Sequence, residues 1–404
     1  MVNVIGLGYI GLPTALMLAS HGVEVVGTDY NAERVKALNS GESVFQEKGL
    51  DELFVRAKAG GIEFTTEYRR ADVYIVSVPT PYNQESRKID VCFVIAAVKA
   101  VLRVCPKGAV LVVESTVSPG TMDKYVRPAI VEAGFAVGKD IHLVHAPERI
   151  IPGNMLYELE HNNRTIGADK PKIGEKIKAL YASFCEGEII VTSIKTAEMS
   201  KVVENTFRAV NIAFANELAK ICRSDGMDVY DIIRICNMHP RVNILSPGPG
   251  VGGHCIPVDP WFLVGDYPGL TCVIGEALRV NEEMPDYVFS RIRAIMAERG
   301  MTDFSRVGLY GLTYKENVDD YRESPALQML AHCPEAAEFR AYDPFVKNDI
   351  APYQYHDLDA FLSAVDLVVI LTGHDEIREN QDKLRGKAVL DTRRVCSLPE
   401  VYTL

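Results

Sequence analysis

Three groupings in this chain have residue types and spacings that could do chemistry. Cys255 follows Gly252-Gly253-His254 and stands four residues before Asp259. A thiol in a glycine-bordered loop, where missing side chains admit a ligand to the backbone, is a candidate nucleophile for a carbonyl carbon. Its ordinary alternative is a small buried hydrophobe. His254 and Cys255 have no second ligand pair at metal spacing, so no metal is expected. Lys201, Asn205 and Arg208 fall at i, i+4 and i+7 and share one face of a helix. On a buried face a cation and an amide require an anionic or oxyanionic partner, whereas on a surface they form a solvated stripe. Gly6-x-Gly8-x-x-Gly11 lies between an apolar run and a helical pattern, and Asp29 comes eighteen residues after Gly11. That order is the fingerprint of a dinucleotide: the glycines allow a tight turn and close approach to a pyrophosphate, the helix N-terminus faces the phosphates, and the carboxylate takes ribose hydroxyls. Asp29 favours NAD over NADP because it would repel a 2′-phosphate; Arg34 pulls the other way unless it is merely a solvated residue of the next helix. Thr80 and Thr116 follow two later apolar runs, where ligands bind at the carboxyl edge of such sheets, though hydroxyls there also serve as caps.

The elements that must hold these residues follow from periodicity. Apolar runs predict strands over 2–6, 23–29, 62–64, 73–78, 109–114 and 141–145, with helices over 12–20, 32–40, 91–104 and 121–133. Continuous Val/Ile-rich runs alternating with helices predict a parallel, doubly wound sheet covered on both faces. From Thr196, apolar residues at helical spacing (Met199, Val202, Val203, Thr206, Val210, Phe214, Leu218, Ile221) run without Pro or Gly until Asp225-Gly226. So long a helix suggests a spine or an oligomer contact. The Gly/Pro-dense stretch 246–253 is a loop. Alternation then resumes, with strands over 307–311, 339–342, 367–371 and 388–391 and helices over 325–332 and 358–364. The expected fold class is α/β, in three parts: an N-terminal Rossmann NAD domain (1–190), a central helical domain with the spine helix and the cysteine loop (191–290), and a C-terminal Rossmann-like domain (291–404).

Composition narrows the function classes. Length, at 404 residues, suggests two to three domains. With 43 Lys plus Arg against 54 Asp plus Glu, the formal charge is −11, which disfavours a general nucleic-acid or anionic-membrane binder. Hydrophobic content of 48% with 24% charged residues is ordinary for a globular chain. No apolar stretch reaches the ~18 residues of a membrane span, and the opening segment lacks a signal-peptide pattern. Nine cysteines, an odd number without a Cys-x-x-Cys pair, suggest buried thiols in a reducing cytoplasm.

Seven segments in order resemble the nucleotide-sugar 6-dehydrogenases, the family that includes UDP-glucose and GDP-mannose dehydrogenases, across essentially the whole chain. They are Ile5 to Pro13, Val78-Pro79-Thr80-Pro81, Ala146-Pro147-Glu148-Arg149-Ile150-Ile151-Pro152-Gly153, Thr196 through Lys201, Asn205 and Arg208, Asn211 to Glu217, His239 to Trp261, and Gly311-Leu312-Thr313-Tyr314-Lys315 with Asp319 to Pro325. The resemblance implies a four-electron oxidation of a sugar C6 alcohol to a carboxylate with two NAD⁺ in turn, on UDP-N-acetyl-D-mannosamine. The aldehyde would be trapped on Cys255 as a thiohemiacetal and leave as a thioester that water hydrolyses. Lys201 and Asn205 would hold the oxyanion, while Asp259 and Glu148 place water and move protons. Gly8, Tyr9, Ile10, Gly11, Asp29, Arg34, Thr80, Thr116 and Arg322 would bind NAD. Arg149, Ile150, Lys201, Asn205, Arg208, His239, Arg241, Gly252, Tyr314, Lys315 and Arg393 would line the UDP-sugar pocket in concert with the C-terminal domain, Arg241 coming from a second copy in a homodimer or higher homo-oligomer. Two departures stand out: Pro152 where UDP-glucose enzymes carry an acid, and Glu316 beside Lys315. The same chemistry on UDP-N-acetylglucosamine or UDP-glucose, and a one-hydride NAD dehydrogenase, are the alternatives.

Overall fold

Short Val/Ile-rich runs punctuated by Gly and polar caps produce two compact units in the computed structural model, Met1–Glu204 and Asn205–Leu404. The structure describes residues 1–45, 47–83, 85–150 and 153–404; Pro152 lies outside the described residues.

In the first unit the strands are β1 (Val2–Ile5), β2 (Val25–Thr28), β3 (Glu63–Thr65), β4 (Val73–Val76), a small hairpin of β5 (Tyr82–Asn83) and β6 (Lys88–Ile89), β7 (Ala109–Val113), β8 (Ile141–His145), β9 (Arg164–Ala168) and β10 (Ile189–Thr192). Eight of them form one sheet in the order β10-β9-β8-β7-β4-β1-β2-β3. Odd and even positions bury on opposite faces. Val2, Val4, Ile75 and Val112 join one apolar cluster with the helix Gly11–Ser20, and Ile5, Tyr74, Val76 and Leu111 join another with the helix Cys92–Leu102. The all-parallel expectation needs one correction. β9 runs antiparallel to β8, with Val144 opposite Ala168 and His145 opposite Gly167. That register places Arg164 beyond the end of β8, at the level of Glu148, where it pairs with that carboxylate. Helix 32–40 appears at its expected bounds because Asn31 accepts the Arg34 N–H as an N-cap.

The helix Ile194–Ser224 begins in the first unit and ends in the second, three residues past Ile221 and directly before the expected Asp225-Gly226 stop. In the second unit β11 (Val307–Tyr310), β12 (Arg340–Tyr342), β13 (Gln354–Tyr355), β14 (Leu367–Ile370), β15 (Ala388–Asp391) and β16 (Tyr402–Thr403) form a fully parallel sheet ordered β13-β12-β11-β14-β15-β16. The helices Pro325–His332 and Leu358–Ala364 have the expected bounds, each started by a side-chain cap, Ser324 and Asp357. No helix among the described residues is long and apolar enough to cross a membrane.

Candidate active site

The dinucleotide loop is built by exclusion. Gly6 has φ +88°, and a Cβ there would stand 2.5 Å from the Ser77 carbonyl oxygen. A Cβ on Gly11 would lie 1.9 Å from the Gly6 carbonyl oxygen, whereas one on Gly8 would meet nothing within 4 Å. The first and third glycines are therefore demanded by the protein itself, and the second faces open space where a pyrophosphate approaches. Asp29, buried at the end of β2, fixes the loop by accepting the Leu7 N–H at 2.8 Å and the Asn31 N–H at 2.9 Å. Arg34 is not a free surface cation: its Nη1 bonds Asp29 at 3.0 Å, so its charge is spent on the carboxylate that would meet a ribose. Tyr9 stacks on Phe45 at 4.5 Å, and Ile10 immediately precedes the helix. This cradle fits a dinucleotide. Thr80 is buried and Thr116 half-buried at the ends of the segments following β4 and β7. Glu198, in the first turns of the spine helix, accepts the Gly120 and Met122 N–H groups at 2.7 and 2.8 Å and so anchors the loop that carries Thr116.

Glu148 and Lys201 are both buried, at 6% and 7% exposure, as their proposed work with protons and oxyanions requires. Ile150 is buried as well. Arg149 is tied to its own unit: Nε and Nη2 grip Glu204 at 2.8 and 2.7 Å, Nη1 bonds the Asn163 carbonyl at 2.7 Å, and Nη2 also reaches Thr165 Oγ1 at 3.0 Å. Sequence reasoning passed over Glu204, and over Arg164, Glu114 and Tyr181, which enclose the other side of Glu148. A lone arginine opening an apolar strand, Arg164-Thr165-Ile166, was the available signal, since a buried guanidinium demands carboxylates.

In the second unit, Cys255 is exposed. Its carbonyl accepts the Val258 and Asp259 N–H groups at 3.2 and 2.8 Å, which seats it one turn ahead of the helix Asp259–Asp266. Asp259 is 4% exposed and accepts the Asn205 amide at 2.6 Å. Lys201 and Asn205 are one helical turn apart and both buried, whereas Arg208 on the same predicted face is exposed. The spine's asparagines hold the approach to the thiol: Asn211 accepts the Leu245 N–H at 2.9 Å and Asn216 the Gly248 N–H at 2.9 Å. Gly252 and Gly253 are also demanded by packing within this unit. A Cβ on Gly252 would lie 2.4 Å from Tyr314 Cβ, and one on Gly253 would lie 2.8 Å from the Tyr314 ring. The Gly253 N–H further bonds the Arg322 carbonyl at 2.8 Å. Burial and the Arg322 charge lower the pKa of His254, favouring the neutral ring.

The remaining predicted ligands of UDP lie at the carboxyl ends of β11 and β15 or in the loop after Cys236. Tyr314 and Lys315 follow β11 and are half-buried. Arg393 is held by the Leu371 carbonyl at 2.9 Å and packs on Gly248. Arg322 is clamped by Asp320, at 2.9 and 2.6 Å, and remains part-exposed. His239 and Arg241 are exposed. Glu316 does not touch Lys315 by any described bond; it pairs with Arg378 at 2.9 Å.

Comparison with known proteins fixes the class. The chain matches, in order, the NAD binding domain (residues 1–185), the central domain (195–283) and the UDP binding domain (308–398) described for the UDP-glucose/GDP-mannose dehydrogenase family. It belongs to that family, whose cofactor is NAD. Among its relatives is the UDP-N-acetyl-D-mannosamine dehydrogenase of Methanococcus maripaludis, 42% identical, with 98% of this chain and 92% of the relative covered. The solved UDP-N-acetyl-mannosamine dehydrogenase Cap5O from Staphylococcus aureus is 41% identical, covers 100% of this chain and 97% of its own, and superposes with a TM-score of 0.88. An NDP-N-acetyl-D-galactosaminuronic acid dehydrogenase of Ralstonia nicotianae is 40% identical over 99% of this chain and 97% of the relative.

Proposed function

We propose that this protein is an NAD-dependent UDP-sugar 6-dehydrogenase that oxidises UDP-N-acetyl-D-mannosamine to UDP-N-acetyl-D-mannosaminuronate by way of a covalent adduct on Cys255. The observation that carries the chemistry is an exposed thiol one turn ahead of a helix whose first residue, the buried Asp259, is hydrogen-bonded to Asn205. The choice of sugar is supported by the 42% and 41% identities to enzymes named for UDP-N-acetylmannosamine.

Gly8 to Gly11, Asp29, Arg34, Thr80, Thr116 and Arg322 would hold NAD⁺, and two NAD⁺ in turn would accept the two hydrides, the first from the C6 carbinol and the second from the thiohemiacetal, whose loss leaves the thioester. Glu148 takes up the proton released from the C6 hydroxyl, directly or through water. Lys201 and Asn205 stabilise the oxyanion, each donor contributing about 3 kcal/mol where water is excluded. The Cys255 thiolate adds to the aldehyde carbon and retains it as a thiohemiacetal, so a reactive carbonyl does not escape between the two oxidations. Asp259 orients the water that hydrolyses the resulting thioester, releasing the carboxylate and restoring the thiolate. Arg208, His239, Arg241, Gly252, Tyr314, Lys315 and Arg393, with Arg149 and Ile150, form the UDP-sugar pocket. Arg and Lys concentrated there are what an acidic protein needs to hold a diphosphate. The functional parts are 1–190, 191–290 and 291–404.

The protein works in the cytoplasm as a homodimer built on the spine helix, where Phe207, Phe214 and Ile221 recur every seven residues on one face and are 63%, 49% and 54% exposed. The test is to count NADH formed per UDP-N-acetylmannosamine consumed, with UDP-N-acetylglucosamine and UDP-glucose as competitors. Two per sugar, lost in Cys255→Ser, is the expected result. One per sugar would overturn the covalent reading in favour of a one-hydride dehydrogenase.

A further inference from the structure

Behind Glu148 lies a buried charge cluster that the reaction scheme leaves unused. Arg164, the first residue of β9, is 4% exposed, and its Nη2 is in direct contact with Glu148 Oε2. Its Nη1 stands 3.8 Å from Glu114 Oε1. Tyr181 and Phe184 close over the guanidinium, at 4.5 and 5.3 Å from their ring centres. Glu114, at the end of β7 and 1% exposed, is the more distant of the two carboxyls, and it is held by Tyr181 Oη at 2.9 Å and Ser77 Oγ at 2.5 Å. Glu148 is fixed at its other oxygen by the Arg149 N–H at 2.7 Å. The charged and titratable groups facing Glu114 are thus Glu148, Arg164 and Tyr181, with Ser77 a neutral donor. One guanidinium between two buried carboxyls neutralises only one of them, so the second is driven to keep its proton.

We propose that Arg164 and Glu114 are positioning residues for Glu148: the guanidinium clamps one oxygen of Glu148, and Glu114 competes from the other side for the same positive charge. Burial first and Glu148 second push the Glu114 carboxyl up to about 7, while Arg164 stays protonated. Below that pH Glu114 is neutral and Glu148 has the guanidinium to itself. Above it the anion on Glu114 draws on the same guanidinium and loosens its hold on Glu148, leaving that carboxylate freer to meet the alcohol proton. The charge on Glu114 sets how firmly Arg164 holds Glu148. This inference rests on the reading that Glu148 handles the alcohol proton.

The experiment has two arms on the full-length protein. The first needs no turnover: denaturant stability of wild type and Glu114→Gln is compared across pH. The folded-state value of Glu114 lies above its ordinary 4.5. Any advantage of wild type over the variant is therefore fully present below pH 4.5 and is lost as pH rises toward about 7. The second arm is the pH profile of kcat/KM on UDP-N-acetylmannosamine. The ratio of wild type to Glu114→Gln is expected to grow three- to tenfold between about pH 6 and about pH 8. Arg164→Met is expected to lower kcat at least tenfold and shift the acid limb upward, and Arg164→Lys to recover part of both; if Arg164→Met does not fold, the Glu114→Gln arms decide. A stability difference or a kcat/KM ratio that is flat with pH overturns the proposal, because a purely structural role would lower the whole profile without bending it. Wild-type protein that makes no NADH from any UDP-sugar sinks the functional reading instead, and the stability arm still judges the charge competition.

Discussion

The two sheets of this molecule share an order and a device, and they use it for opposite ends. β3-β2-β1-β4-β7-β8 in the first unit corresponds strand for strand to β13-β12-β11-β14-β15-β16 in the second. In each, a glycine with positive φ follows the first strand, Gly6 at +88° and Gly311 at +94°. In each, an aspartate at the end of the neighbouring strand accepts the next-but-one backbone N–H: Leu7 to Asp29 at 2.8 Å, and Leu312 to Asp343 at 2.7 Å. The divergence begins one residue later. After Gly6 the chain passes Gly8 and enters a helix at Gly11, presenting backbone N–H groups and a helix N-terminus to an anion. After Gly311 no helix starts until Pro325, and the intervening segment carries Tyr314, Lys315 and Arg322. Asp343 is also closed off from any ribose, since Thr313 Oγ1 and His374 Nε2 occupy it at 3.0 and 3.1 Å. The same scaffold thus presents main-chain groups beyond the first strand of one sheet and side chains beyond the first strand of the other.

That contrast can be broken at both ends. The largest effect is expected from Asp343→Ala. The carboxylate is 2% exposed, and its loss strands the Leu312, Thr313 and Phe345 backbone N–H groups, together with the Thr313 hydroxyl and the His374 ring. Unfolding in denaturant should show a loss of about 3–5 kcal/mol, with NAD affinity in the folded fraction unchanged. Gly8→Ala is the converse. Its Cβ would touch nothing within 4 Å, so stability should hold while NAD binding measured by calorimetry falls at least tenfold, about 1.4 kcal/mol. UDP affinity should not move. Smallest is Glu316→Ala: its pair with Arg378 is 46% and 39% exposed, so stability should change by less than about 0.5 kcal/mol. Removing a carboxylate next in sequence to Lys315 should raise UDP affinity by no more than about threefold; a larger gain would show that charge, rather than geometry, limits the second nucleotide site.

Much of this was legible in the sequence where local signals and tertiary demands agree. Helices 32–40, 325–332 and 358–364 have their predicted bounds because Asn31, Ser324 and Asp357 are side-chain caps that act within three residues. The strands that carry Gly6, Asp29 and Glu114 are apolar and short, so their positions were plain. β9 and β10 were missed. β10 is partly exposed, and β9 opens on a charged residue, a fact that makes sense only once Arg164 is seen between two carboxylates that follow β7 and β8. The reversal of β9 likewise depends on a partner strand and leaves no local mark. Helical spacing put Arg208 on one face with Lys201 and Asn205 but could not say that it is exposed where they are buried. Room for a ligand is the local reading of Gly252 and Gly253, to which the structure adds a non-local demand from Tyr314, some sixty positions downstream.

That last demand has a practical corollary. The stretch of chain bearing the sulfur is riveted, through two glycines and the Gly253-to-Arg322 hydrogen bond, onto the loop that trails β11. A small molecule that wedges the Tyr314 ring aside would drag the mounting of the proposed nucleophile with it, with no need for a warhead of its own.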